Sequence, residues 1–175
     1  MNTLLRGIGV LATVGTVSLL AFSMPSGEAR GDGGDDAVPR FAHANWQQEC
    51  GSCHIAFSPA LLPRASWRRM MGDLDHHFGD NASLDPAIRA DILQFLEAHA
   101  ADTGTSQIGR KVMQRMGAKD APWRITETRW FMREHDEVSR ATWSRKSVGS
   151  AANCAACHQK AEQGMFDEHA ARIPK

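Results

Sequence analysis

The chain carries its four cysteines in two copies of one pattern, Cys50-Gly-Ser-Cys53-His54 and Cys154-Ala-Ala-Cys157-His158. Two thiols on one helical turn reach the two vinyl groups of a porphyrin and form thioethers. The histidine that follows then lies beneath the iron as its proximal ligand. The pattern is that of c-type haem attachment. Other uses of Cys-x-x-Cys fit less well. Two such pairs sharing one zinc stand about 15 to 20 residues apart, whereas Cys53 and Cys154 are 101 residues apart. A thioredoxin-like redox pair needs a βαβ context, and no alternating strand pattern is present. Two structural disulfides suit an exported chain but leave the repeated histidine without a reason.

An electron-carrying haem needs a second strong axial ligand. Methionine raises the potential, and a second histidine lowers it. Six histidines remain: His43, His76, His77, His99, His135 and His169. Trp67, Met70, Met71, Leu74 and Phe78 recur at helical spacing, with Gly79 placed as a C′ residue. On a wheel with Trp67 at zero, those apolar residues fall within about 60°, His77 at about −80° and His76 at about 180°. His77 is therefore the candidate at the first iron, and His76 faces solvent. His99 shares the inward face of Ile88, Ile92 and Phe95 and is read as a core histidine. Met70 and Met71 are read as core packing. In the second half His135 follows Trp130-Phe131 on a helix well separated from the attachment turn. It is preferred to His169, which lies in polar Asp-Glu-His-Ala, and to Met113, Met116, Met132 and Met165. His43 is expected at the surface.

The elements that position these groups read as helical throughout. Phe41 to Gln48 forms a helix that delivers Cys50, and Pro59 and Pro63 punctuate the next loop. Asp85-Pro86 supplies an N-cap with proline at N1 and opens a helix to about Ala101. Ile108 to Met116 is a short helix ending at Gly117. Thr126 or Thr128 caps a helix bearing Trp130, Phe131 and His135, and Ser150 to His158 is expected to be helical.

Over 175 residues, 20 basic and 20 acidic side chains cancel. A nucleic-acid binder usually carries a basic excess, so that class of partner is excluded. The balance is uneven along the chain, with a net of −5 over 30–104 and +5 over 105–175. The sign changes at the turn-forming stretch 101–106. The expected organisation is a leader over 1–29, one haem lobe over 30–104 and a second over 105–175. Arg6 precedes an apolar run of 18 residues, Gly7 to Met24, and Gly27 and Ala29 sit at −3 and −1 of a signal-peptidase site. This reads as a cleaved Sec signal, with an uncleaved anchor as the alternative, and places the protein in the periplasm. The leader Gly31-Asp-Gly-Gly-Asp-Asp36 lacks EF-hand spacing and reads as a flexible tail. Arg140, Arg145, Lys146 and Lys160 flank the second attachment turn, as a solvated face or as a docking rim for an acidic partner.

The segments Glu49 to Pro63, Leu74 to Gly79, Trp123 to Thr128, Asn153 to His158 and Ala161 to Phe166 resemble the periplasmic dihaem cytochromes c, typified by the dihaem partner of sphaeroides haem protein. The resemblance covers nearly all of the chain after the leader. It implies an all-α electron carrier with two bis-histidine haems c. It also implies a class I cytochrome c-like first lobe and a smaller, distinct second lobe. The family's Leu-x-x-His-Phe-Gly pattern likewise selects His77. A membrane b-type cytochrome is the implied donor, and a small haem protein or terminal reductase the implied acceptor. No small-molecule substrate is expected. The competing class is a dihaem peroxidase or related reductase, which requires one iron with an open or displaceable site. A haem-based sensor would need an output domain. No G-x-S-x-G, Walker A or H-E-x-x-H motif is present.

Overall fold

The computed structural model describes residues 38–117 and 120–175. The leader over 1–29 and the Gly/Asp stretch lie outside the described residues. The chain divides by its contacts into Met1–Arg30 and Gly31–Lys175, and the second unit holds everything described below. Among the described residues there are helices and turns and no β-strand beyond one isolated bridge, His77 to Asp80. None of these helices is long and apolar enough to cross a membrane.

The first attachment turn hangs from helix α1, Ala44–Cys50. His43 is its N-cap: the Nδ1 accepts the Trp46 N–H at 3.2 Å, satisfying one of the helix's orphan donors. The helix therefore begins three residues later than the periodicity predicts. His43 is also not simply a surface residue, because its ring stacks on Phe95 at 4.3 Å. The chain turns sharply after Cys50, and a Cβ at Gly51 would run into the Gln47 carbonyl. That close approach explains the glycine between the two cysteines.

Helix α2, Arg64–Met71, follows Pro63, and helix α3, Pro86–Ala98, follows the Asp85 cap. Asp85 Oδ1 accepts from Ala87 at 2.8 Å, and proline fills N1, as the sequence predicts. Helices α1, α2 and α3 bury Trp46, Leu62, Trp67, Met71, Leu74, Ile92, Leu96 and Ala100 together. The indole of Trp67 donates to the Pro59 carbonyl at 2.8 Å. Ile92 and Leu96 are fully buried, each contributing about 1.5–3 kcal/mol relative to exposure.

The structure corrects one sequence expectation here. The helix carrying Trp67 stops at Met71 instead of running to Phe78. Gly72 caps it, a 3-10 turn over Leu74–His76 follows, and Phe78 takes the left-handed φ of 55°. A wheel phased from Trp67 therefore does not describe His76 and His77.

Helix α4, Gln107–Gln114, is capped by Ser106 and buries Ile108 and Val112. Ile108 joins Val38, Ala60 and Leu61 in a second cluster, against which Ile125, Trp130 and Phe166 pack. Residues from both sides of position 104 thus share one core. Helix α5, Arg129–Glu134, is capped by Thr128, whose Oγ1 accepts from Phe131 at 3.1 Å. Helix α6, Arg140–Trp143, is capped by Ser139.

Beyond α6 the chain runs in short 3-10 turns at Cys154–Ala156, Ala161–Gln163 and Glu168–Ala170. The helix expected over 150–158 is only the single turn at the cysteines. Among the described residues after 119, the buried apolar side chains are Phe131, Val148 and Ala161. That is little core for a stretch of this length, and it leaves a prosthetic group to supply the rest.

Candidate haem centres

Each Cys-x-x-Cys-His histidine faces a second histidine contributed by a distant segment. The His54 and His77 rings lie 6.2 Å apart between centroids, with planes 28° apart. The His158 and His135 rings lie 6.1 Å apart, with planes 81° apart. An imidazole–metal bond of about 2 Å plus roughly 1.1 Å from nitrogen to ring centre puts two trans imidazoles about 6.2 Å apart. Both pairs stand at that separation, and the residues present fit a six-coordinate iron at each place.

Aromatic side chains back all four rings. Phe57 stacks on His54 at 4.8 Å and Phe78 lies beside His77 at 4.8 Å. Phe131 stacks on His135 at 4.1 Å and Phe166 meets His158 edge-on at 5.4 Å. Of these, the i,i+4 pairing of Phe131 with His135 was legible as helical spacing. Phe57 and Phe166 carry no such signal.

The hydrogen bonds set the tautomers. The His54 Nδ1 is 2.7 Å from the Ile55 carbonyl, and the His135 Nδ1 is 3.0 Å from the Phe131 carbonyl. A carbonyl only accepts, so each Nδ1 carries the proton and each Nε2 keeps its lone pair free. His135 is the C-cap residue of α5 and points back over its last turn, rather than lying within the helix. The His158 Nδ1 is buried without a partner.

Burial holds His77 and His158 below the usual histidine range. For His77, His54 and Arg124 add to the effect; for His158, His135 does. Neutral imidazole is the metal-binding form. The thiols of Cys50 and Cys154 are pushed up to about 11, chiefly by burial. All four cysteines are free.

The remaining histidines lie elsewhere. His76 is exposed, and its Nδ1 is 2.9 Å from Asp73 and 3.5 Å from Asp75. Its hydrogen bond to Asp73 and the nearby carboxylates raise its pKa. His99 ends α3 and packs on Phe41 at 4.4 Å and Phe95 at 5.1 Å. His169 is exposed beside Glu168. Met71 is buried, and Met70 packs against the same core.

Two attachment turns, each opposed by a second imidazole at metal-bridging distance, define a c-type cytochrome with two centres. Comparison with known proteins gives the family. The profile of the dihaem cytochrome c family matches residues 46–166. A solved dihaem cytochrome c from Rhodobacter sphaeroides is 42% identical, with a TM-score of 0.65, covering 71% of this chain and 97% of that one. A second structure of that organism's protein is 42% identical over 72% and 98% of the two chains, with a TM-score of 0.59. A dihaem cytochrome c from Shewanella baltica is 41% identical over 75% and 92%, with a TM-score of 0.61. No curated protein matches the chain. The chain belongs to the dihaem cytochrome c family, a family of electron-transfer proteins with two covalently bound haem c groups.

Proposed function

We propose that this protein shuttles single electrons between redox proteins in the periplasm through two bis-histidine haems. Cys50 and Cys53 hold the first haem, with His54 and His77 on its iron. Cys154 and Cys157 hold the second, with His158 and His135 on its iron. The observation that carries this reading is the matched spacing of the two histidine pairs, 6.2 and 6.1 Å.

Each haem, when bound, supplies a one-electron ferric–ferrous couple. The chain's own residues do the rest. The His54 and His135 Nδ1–H groups donate to backbone carbonyls, which fixes ring orientation and strengthens each imidazole as a donor. Phe57, Phe131 and Phe166 pack against the His54, His135 and His158 rings and restrict their rotation. Two strong ligands per iron leave little to reorganise on reduction and keep the potentials low. Closed irons suit a carrier and not a peroxidase.

Export by the 1–29 leader places this chemistry where covalent attachment retains haem. A membrane b-type cytochrome is the donor and a small haem protein or terminal reductase the acceptor. The test is ligand removal. His77→Ala should give a high-spin, CO-binding first haem and His135→Ala a CO-binding second haem. His76→Ala and His169→Ala should leave both closed. CO binding in the His76 or His169 variant, or none in the other two, would overturn the ligand assignment.

A further inference from the structure

The segment Trp123-Arg124 packs against the loop that presents His77. Phe78 follows His77 directly and holds the left-handed φ of 55°, a conformation an aromatic residue keeps only when its surroundings impose it. Phe78 and Gly79 form the tip of a tight turn closed by the Asp80 N–H on the His77 carbonyl at 3.1 Å, and Phe78 is 39% exposed, so burial in the core does not hold its ring. Its ring instead meets Trp123 edge-on at 6.2 Å, and the Arg124 guanidinium lies over it at 3.8 Å. The Arg69 guanidinium covers the Trp123 ring at 3.9 Å, and its Nη1 donates to the Ala121 carbonyl at 3.4 Å.

Both ends of this stack are anchored independently of the His77 loop. Arg69 stands on α2, which Trp67 and Met71 fix in the core. The N–H groups of Trp123 and Arg124 donate to Glu127 Oε2 at 3.0 and 3.3 Å. Cation–π and edge-to-face contacts of this kind are directional. They hold the ring of Phe78 and, through one peptide, the ring of His77.

We infer that Trp123, gripped between Arg69 and Phe78, is a positioning residue that locks His77 onto the first iron. This rests on the proposed His54–His77 ligation. Without the indole, Phe78 relaxes from the left-handed region and carries His77 with it, so the bond to iron breaks more often.

The experiment uses the full dihaem protein, reduced, under excess CO, with the exchange rate and the potential of the first haem as readouts. The CO complex of His77→Ala identifies the first haem's spectrum. Trp123→Ala should exchange CO at the first haem at least roughly tenfold faster than the native protein, equivalent to about 1.4 kcal/mol, and shift that haem's potential upward. Trp123→Phe, which keeps a ring face, should restore both toward native values. The second haem should not respond. Native exchange and potential in Trp123→Ala would overturn the inference. Should Trp123→Ala yield no holoprotein, the exposed change Arg69→Gln decides: faster exchange supports the role and a native rate refutes it. Failure of His77→Ala to bind CO would instead refute the ligation beneath it.

Discussion

The two histidine pairs differ in one measurable respect, the twist between their rings. Each axial imidazole donates π density into the iron d orbital perpendicular to its own plane. Two parallel planes reinforce each other and split the two d-π orbitals, while perpendicular planes leave them nearly equal. In the simplest overlap treatment the splitting falls as the cosine of the interplanar angle. It retains roughly nine-tenths of its maximum at 28° and about one-sixth at 81°. Frozen ferric protein should therefore give two low-spin resonance signals of equal integrated intensity. One should be an ordinary rhombic three-line spectrum from the first haem. The other should be a strongly anisotropic signal dominated by a single low-field feature, from the second. Replacing Cys154 and Cys157 with alanine should remove only the anisotropic signal. Two rhombic signals, or loss of the rhombic one in that variant, would refute the geometry assigned to the pairs.

Cys50→Ala with Cys53→Ala should likewise leave one haem per chain, read from the pyridine haemochrome and from haem staining of denatured protein. His135→Met should raise the potential of the second haem and leave the first nearly unmoved, because thioether favours ferrous iron; a spectroelectrochemical titration resolves the two waves. Gly164→Ala should lower the denaturation midpoint. Its φ of 70° disfavours any side chain by roughly 1–2 kcal/mol, and a new Cβ would stand 2.6 Å from the Val38 carbonyl oxygen.

The two Cys-x-x-Cys-His turns were legible outright as haem c attachment motifs, because thioether formation demands their spacing. The Asp85 cap was equally local, whereas the sequence left Thr126 and Thr128 as alternatives, of which the structure uses Thr128, and did not single out Ser106. His77 is a different case. The wheel selected it from a helix that ends six residues earlier at Met71, and the ring meets His54 through a turn that no periodicity describes. Gly72 could have signalled that stop, but the left-handed Phe78 could not: it shares the tip of a tight turn with Gly79, closed by the Asp80 N–H on the His77 carbonyl at 3.1 Å, and its ring is held by Trp123 and Arg124 from a distant segment. The helix expected over 150–158 failed for a related reason. Its alanines favour helix, yet the chain there is arranged around the attachment turn. The N-cap role of His43 is readable in retrospect, as a polar side chain three residues before Trp46.

The most direct test of the central claim, that two histidines close each iron, is the absorption spectrum of the native reduced protein before and after brief exposure to CO. The account predicts a low-spin ferrous spectrum that CO leaves unchanged at both haems on that timescale. A CO complex formed promptly at either haem would show an open iron and would contradict it.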